Sequence, residues 1–246
     1  MAKKVDEPLP EGLKKKEFDK ERWMPKTELG KKVKSGEIKD IDEIFDNGYR
    51  ILEAGIVDFL VPNLGSDLIF VGQSKGKFGG GKKSIWKQTQ KKTKEGNKPK
   101  FGTLAVVGNK DGFVGIGYGK SKETMPSREK ALRNAKLGII RINRGCGSWL
   151  CNCKAAHSIP LKVLGKCSSV KIELLPAPKG TGLCVETECK KILGFAGIKD
   201  VYSKSVNSKT KLNLMKACFN ALKELSKTKY QDSFIKKSGT IVGRTP

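Results

Sequence analysis

Three thiols and an imidazole fall within twelve residues in the middle of the chain: Cys146, Cys151, Cys153 and His157. Soft thiolates and a neutral imidazole are the donors that hold zinc in a closed tetrahedral site, so this set can bind one structural ion, with Cys167 as an alternative fourth ligand. The spacing is not the common Cys-x-x-Cys knuckle. Arg144 and Lys154 beside the set would favour thiolates, and they could equally serve a polyanion. One structural zinc and ordinary reduced cysteines both stay open. No carboxylate lies between Cys146 and Gly165, so the residues offer no acid to orient His157, and a catalytic zinc would lack its general acid or base.

Two glycine-rich stretches invite comparison with nucleotide sites, and both fail on spacing. Gly76 to Lys83 (GKFGGGKK) places Lys83 where a phosphate loop needs the magnesium-binding hydroxyl, and the hydroxyl arrives one residue late at Ser84. Gly115, Gly117 and Gly119 put the third glycine one position too early for a dinucleotide fingerprint. Alternating glycines in a strand instead mark the close approach of another backbone, either RNA or the protein's own. With a single histidine in the chain, nucleophile and base arrangements have only one candidate base. The sequence is therefore read as non-enzymatic.

The charged residues carry a clearer signal. Among 246 residues there are 50 Lys+Arg and 25 Asp+Glu, a formal net charge of +25, which suits a polyanionic partner, above all nucleic acid. Between Gly72 and Lys100 lie ten lysines and one acid, Glu95. The candidate RNA contacts are Lys75, Lys77, Lys82, Lys83, Lys87, Lys91 and Lys92 in this segment, then Lys110, Lys120, Lys122, Arg128, Arg133 and Arg144. Phe78 and Trp86 interleave with the lysines and either stack on exposed bases or anchor the segment to its own domain. Lysine is a point charge without the planar fork of arginine, so backbone and shape recognition are expected in place of base reading.

No apolar window reaches the roughly 18–20 residues of a membrane span. The amino end has no apolar run after its lysines, so it does not read as an export signal. A cytoplasmic protein with reduced thiols is expected, with no membrane partner.

The elements that must position these residues divide the chain in six. Residues 1–22 read as a charged tail, either ordered on a partner or frayed. Residues 23–64 carry a sparse apolar pattern that predicts two or three short helices. Residues 65–142 predict a strand at Asp67–Gly72, a basic loop over 73–100, and a hairpin turning at Asn109–Gly112, where Asp-Gly supplies the positive φ of a tight turn. A helix then starts near Thr124, with Thr124 and Ser127 as caps and Pro126 in its first turn. Ala131, Leu132, Ala135 and Ile139 lie on one side of it, and Leu137 falls awkwardly near its basic stripe.

Residues 143–154 form a cysteine-bearing connector. In 155–228, Val170, Ile172 and Leu174 alternate as in a half-buried strand. Val185, Cys189, Ile192 and Leu193, and then Leu212, Met215, Phe219 and Leu222, follow helical spacing on either side of a strand at Ile198–Ser203. Residues 229–246 read as a polar, basic tail. The fold class is α+β: a small α/β module followed by a second two-layer α/β sandwich, with basic tails.

Taken in order, DLIFVGQSKGKFGGG (67–81), KFGTLAVVGNKDGFVGIGYGKSKE (100–123), LLPAPKGTGL (174–183) and FAGIKDV (195–201) closely resemble the small-subunit ribosomal protein five, or S-five, family. The similarity runs from about Trp23 to about Lys227, and Val106–Lys120 and Pro176–Gly182 are its most specific motifs. Pro25–Phe45 and Arg144–Cys153 are similar to the archaeal and eukaryotic branch, the cysteines most of all to archaeal members. The resemblance implies a double-stranded-RNA-binding-like domain at about 65–140 and a second α/β domain at about 155–228. It also implies residence in the small ribosomal subunit, bound to its ribosomal RNA and to small-subunit proteins four and eight. The place would be near the messenger RNA entry channel, with an architectural role that supports decoding accuracy. The rival reading is a free double-stranded-RNA-binding factor built on the same module.

Overall fold

The computed structural model describes residues 20–61, 63–73, 83–151, 153–208 and 210–244. The expected 1–22 tail therefore lies almost wholly outside the described residues.

Three short helices open the described chain, as the sparse apolar pattern predicts: α1 (Glu28–Ser35), α2 (Ile41–Asp46) and α3 (Ala54–Leu60). Thr27 caps α1 by accepting from the Gly30 N–H at 3.1 Å, and Gly36 ends it at φ 85°. None of these helices is long enough to stand alone in water. Val33, Ile44, Ile56 and Val57 instead bury against Phe113 and Ile139 of the following domain. Leu137, awkward on a helical wheel, packs into this same cluster. Lys136 pairs with Asp58 at 2.7 Å and Arg141 with Asp46 at 2.7 Å, so part of the basic stripe serves this contact.

The first sheet is built on β1 (Gly65–Ile69), β4 (Lys87–Thr93), β5 (Gly96–Gly108), β6 (Phe113–Ser121) and β7 (Ile139–Arg141), in the order β1-β5-β6-β7. The strand expected at Asp67–Gly72 starts two residues earlier and stops at Ile69. The two-residue β2 (Gly72–Gln73) and β3 (Lys83–Ser84) pair with each other. The 13-residue β5 is shared: β1 pairs with its second half, and β4 pairs with residues 96–102 along the same edge. Since β6 reaches only as far as Phe101, the β4–β5 hairpin projects beyond the sheet as a two-stranded ribbon. This corrects the expected basic loop over 73–100, of which the described part from Lys87 to Lys100 is almost entirely strand. Lysine density hid the strand signal, because the ribbon buries neither face and so shows no apolar alternation.

Helix α4 (Thr124–Leu137) lies across β5 and β6. Its capping position is Glu123, with no side-chain cap bond, so neither Thr124 nor Ser127 acts as the cap. Ser127 is buried inside the first turns, its hydroxyl 2.9 Å from the Phe101 carbonyl and 2.9 Å from Thr103 Oγ1. The alternating glycines explain how α4 comes so close. A Cβ on Gly117 would lie 2.1 Å from the Ala135 nitrogen, and on Gly119 2.2 Å from the Ser127 carbonyl oxygen. The neighbouring backbone is therefore the protein's own helix.

After β8 (Asn143–Arg144), the second sheet comprises β9 (Val163–Cys167), β10 (Val170–Pro176), β11 (Leu183–Cys184) and β12 (Val201–Val206), ordered β11-β12-β10-β9. The last strand begins three residues later than the expected Ile198–Ser203. Helices α5 (Thr187–Phe195) and α6 (Lys211–Lys227) cover one face, where Val170, Ile172 and Leu174 meet Ile192, Leu193, Met215 and Leu222. Leu104 and Val106 of β5 join the same cluster, so the two domains share one core. At its rim Glu188, only 2 % exposed, accepts from the Phe70 N–H at 3.1 Å, and Lys191 reaches Asp67 at 3.0 Å.

Within the expected tail from 229, residues 232–242 are folded. Helix α7 (Asp232–Ser238) is followed by β13 (Ile241–Val242), which pairs with β8. Ser238 and Thr240 are buried and lie 2.5 Å apart through their hydroxyls. Backbone and hydroxyl bonds anchor this segment where apolar periodicity does not, which is why it reads as polar and unanchored.

Gly117→Ala should unfold at lower temperature. A methyl group pressed on the α4 backbone costs about 2–3 kcal/mol, or roughly 4–12 °C for a chain of this size. Thermal unfolding checks this, and a midpoint within 1 °C of wild type would show that α4 does not depend on the glycine stripe.

Candidate metal centre and nucleic-acid interface

The connector brings the four predicted ligands together. The sulfurs of Cys146, Cys151 and Cys153 and a ring nitrogen of His157 all lie within 4.8 Å of one another. Donors around a tetrahedral zinc with Zn–S of about 2.3 Å stand about 3.5–4 Å apart, so the four need only a small contraction to close on an ion. Cys167, the alternative ligand, lies at the end of β9 against the apolar core and is not in the group. The cluster can hold a metal ion.

Its surroundings come from three parts of the chain. The Cys146 N–H donates to the Ser238 carbonyl at 2.9 Å, tying α7 to the site. The Lys179 backbone, from the Pro176–Gly182 motif, together with Cys153 draws the Cys151 thiol down to about 6. Burial pushes the Cys146 thiol up to about 11. Between the first two cysteines, Trp149 and Leu150 project outward, 92 % and 65 % exposed.

The expectation that no acid orients His157 is overturned. Asp200, 43 residues away in sequence, places Oδ2 2.8 Å from His157 Nδ1, with both side chains buried. His157 Nε2 lies 4.0 Å from the Cys151 sulfur. A thiol, an imidazole and a carboxylate in line would also suit a nucleophile with its base. Here two further thiols crowd the same point, an arrangement that fits a metal-donor set better than a single nucleophile.

Among the described residues, the candidate basic side chains do not form one patch. Lys75, Lys77, Phe78 and Lys82, with most of the GKFGGGKK stretch, lie outside the described residues. Lys83 is exposed in β3, and Trp86 is half-buried at the foot of the ribbon, its carbonyl pressed against Gly72. In the ribbon, Lys91 stands directly opposite Lys98 and Thr89 opposite Lys100. By strand alternation Lys87, Lys91, Lys98 and Lys100 share one face, while Gln88, Gln90, Lys92 and Asn97 share the other. Lys120 lies opposite Gly102, whose other partner is Lys87, and so extends the lysine face. Like charges set across a ladder repel. The ribbon's only acid, Glu95, pairs with Lys98 alone.

Lys122, Arg128 and Arg133 are exposed around α4, on the opposite side of the sheet, and Lys110 is exposed at the β5–β6 turn with φ 62°. Arg144 requires correction as an RNA contact. It is 5 % exposed, with its guanidinium 2.5 Å from Asp111 and 3.1 Å from the Gly243 carbonyl. The returning C-terminal segment encloses it, and nothing in the local sequence announces that.

Among the described residues no helix is long and apolar enough to cross a membrane. A basic pair of α/β domains sharing one core, with a lysine-faced ribbon and a Cys₃His cluster, defines the class of protein. The family model "Ribosomal protein S5, N-terminal domain" matches residues 85–143, and "Ribosomal protein S5, C-terminal domain" matches 165–233. The small ribosomal subunit protein uS5 of Nanoarchaeum equitans is 50 % identical over 224 residues, covering 91 % of this chain and 96 % of that protein. Its counterpart in Methanocaldococcus jannaschii is 44 % identical over 228 residues, covering 92 % and 98 %. That of Methanobrevibacter smithii is 45 % identical over 223 residues, covering 90 % and 98 %. The chain belongs to the ribosomal protein S5 family, whose members are structural and non-enzymatic.

Proposed function

We propose that the chain is a structural constituent of the small ribosomal subunit in the cytoplasm, bound to the subunit's ribosomal RNA. The observation that carries this reading is the similarity to archaeal uS5 proteins across about nine-tenths of both chains. The family resemblance further supports contacts with small-subunit proteins four and eight near the messenger entry channel, and a part in assembly and decoding accuracy. The exposed lysine face of the ribbon supplies the charge for phosphate contact, with Lys87, Lys91, Lys100 and Lys120 as the described residues best placed for it. Lysines there position the backbone and do not read bases.

The Cys146, Cys151, Cys153 and His157 set holds one structural zinc. The closed Cys₃His donor set supports zinc over harder cations, and ligation would fix a connector that has little regular structure of its own.

Native protein sedimented from lysate at moderate salt should travel with small subunits and whole ribosomes. Recovery mainly in light fractions with mixed RNAs would favour a free RNA-binding factor. Replacing Lys87, Lys91 and Lys100 together by Gln should weaken binding of the purified protein to small-subunit RNA and lower the salt slope by about 2–3; an unchanged slope removes the ribbon from the interface. Elemental analysis under reducing conditions should find about one zinc per chain, and less than about 0.2 would eliminate the closed metal site.

A further inference from the structure

Asp200 is absorbed neither by the apolar core nor by the basic surfaces, and it is buried with every polar atom engaged. Its Oδ1 accepts from the Gly182 N–H at 2.8 Å, and its Oδ2 faces His157 Nδ1 at 2.8 Å. Its carbonyl accepts from the Ser158 hydroxyl at 2.5 Å, and its own N–H donates to the His157 carbonyl at 3.1 Å. The residue is thus fixed by the backbone of both segments that flank the cluster.

We infer that Asp200 is the positioning residue of the metal site: it selects the His157 tautomer that ligates, and it ties that ligand to the Pro176–Gly182 loop. The inference rests on the metal reading above. A carboxylate in this position only accepts, so the proton of a neutral imidazole resides on Nδ1. Nε2 then carries the lone pair, and it is the nitrogen that lies 4.0 Å from the Cys151 sulfur. The opposite tautomer would set an N–H against the thiols and a lone pair against a carboxylate. Orienting partners of this kind typically change metal affinity about 10- to 100-fold.

The same residue joins the loop to the site. Gly182 donates to the Asp200 carboxylate at 2.8 Å and accepts from the Val201 N–H at 3.2 Å, so the end of the Pro176–Gly182 motif is held to the carboxylate behind the imidazole.

His157 is the only histidine in the chain, so labelling its ring with nitrogen-15 gives a single pair of imidazole resonances from the full-length protein. With zinc bound, Nδ1 should carry the proton and Nε2 should shift as the ligand; a proton on Nε2 would overturn the inference. In parallel, zinc affinity is measured by competition with a chromophoric chelator in wild type, Asp200→Asn, His157→Cys and the double variant.

Asp200→Asn should bind zinc about 10- to 100-fold more weakly than wild type. In the His157→Cys background the same change should cost less than about 2-fold, because a thiolate has no tautomer to select. An equal loss in both backgrounds would show that Asp200 acts only on folding and would overturn its positioning role. Full affinity in Asp200→Asn would overturn it too, and leave the zinc reading intact. Absence of zinc from the wild-type protein would overturn the metal reading and this inference together.

Discussion

Side chains on a strand alternate between its two faces, and the 13 residues of β5 carry that constraint through every part of the first domain. Ala105 and Val107 turn toward α4, while Leu104 and Val106 enter the core shared with the C-terminal domain. Lys98 and Lys100 belong to the same parity as Leu104 and Val106, and pairing across β4 and β6 adds Lys87, Lys91 and Lys120 to their face. A shift of one residue in register would exchange the two sets, burying the wrong residues and turning the lysines over. The shared core fixes that register, and with it the direction of the charge.

The other side of the sheet is governed by close approach. Gly115, Gly117 and Gly119 leave no side chains between β6 and α4, so helix and strand meet backbone to backbone. That proximity buries Ser127 among the Phe101 and Gly119 carbonyls and leaves Arg128 and Arg133 on the outside. The N-terminal helices then cover the far end of α4 through Leu137 and the Lys136–Asp58 pair.

Around the cysteines, polar contacts hold segments together where the apolar core does not reach. Arg144 with Asp111, Cys146 with Ser238, and Asp200 with His157 and Gly182 join five stretches of chain separated by up to about a hundred residues. Buried polar networks of this kind are favourable only when each group is paired. The placement of Asp200, bonded through both carboxylate oxygens and both backbone groups, meets that condition directly behind the His157 imidazole.

The sequence alone was enough to recognise a basic two-module α/β chain, the Asn109–Gly112 hairpin, the alternation of Val170, Ile172 and Leu174, and the cluster of three thiols and an imidazole. Each of these is written in local spacing, which a strand, a turn or a short connector converts directly into geometry. The Gly115–Gly119 stripe was legible only as a close approach to some backbone, and the fold identified that backbone as α4. Tertiary structure alone decided what depends on distant segments. It drew the lysine run into a one-sided ribbon, turned a polar tail into α7 and β13, buried Arg144, and placed Asp200 behind His157. These features rest on hydrogen bonds and ion pairs between residues far apart in the chain, and such pairings leave no periodicity in a linear sequence.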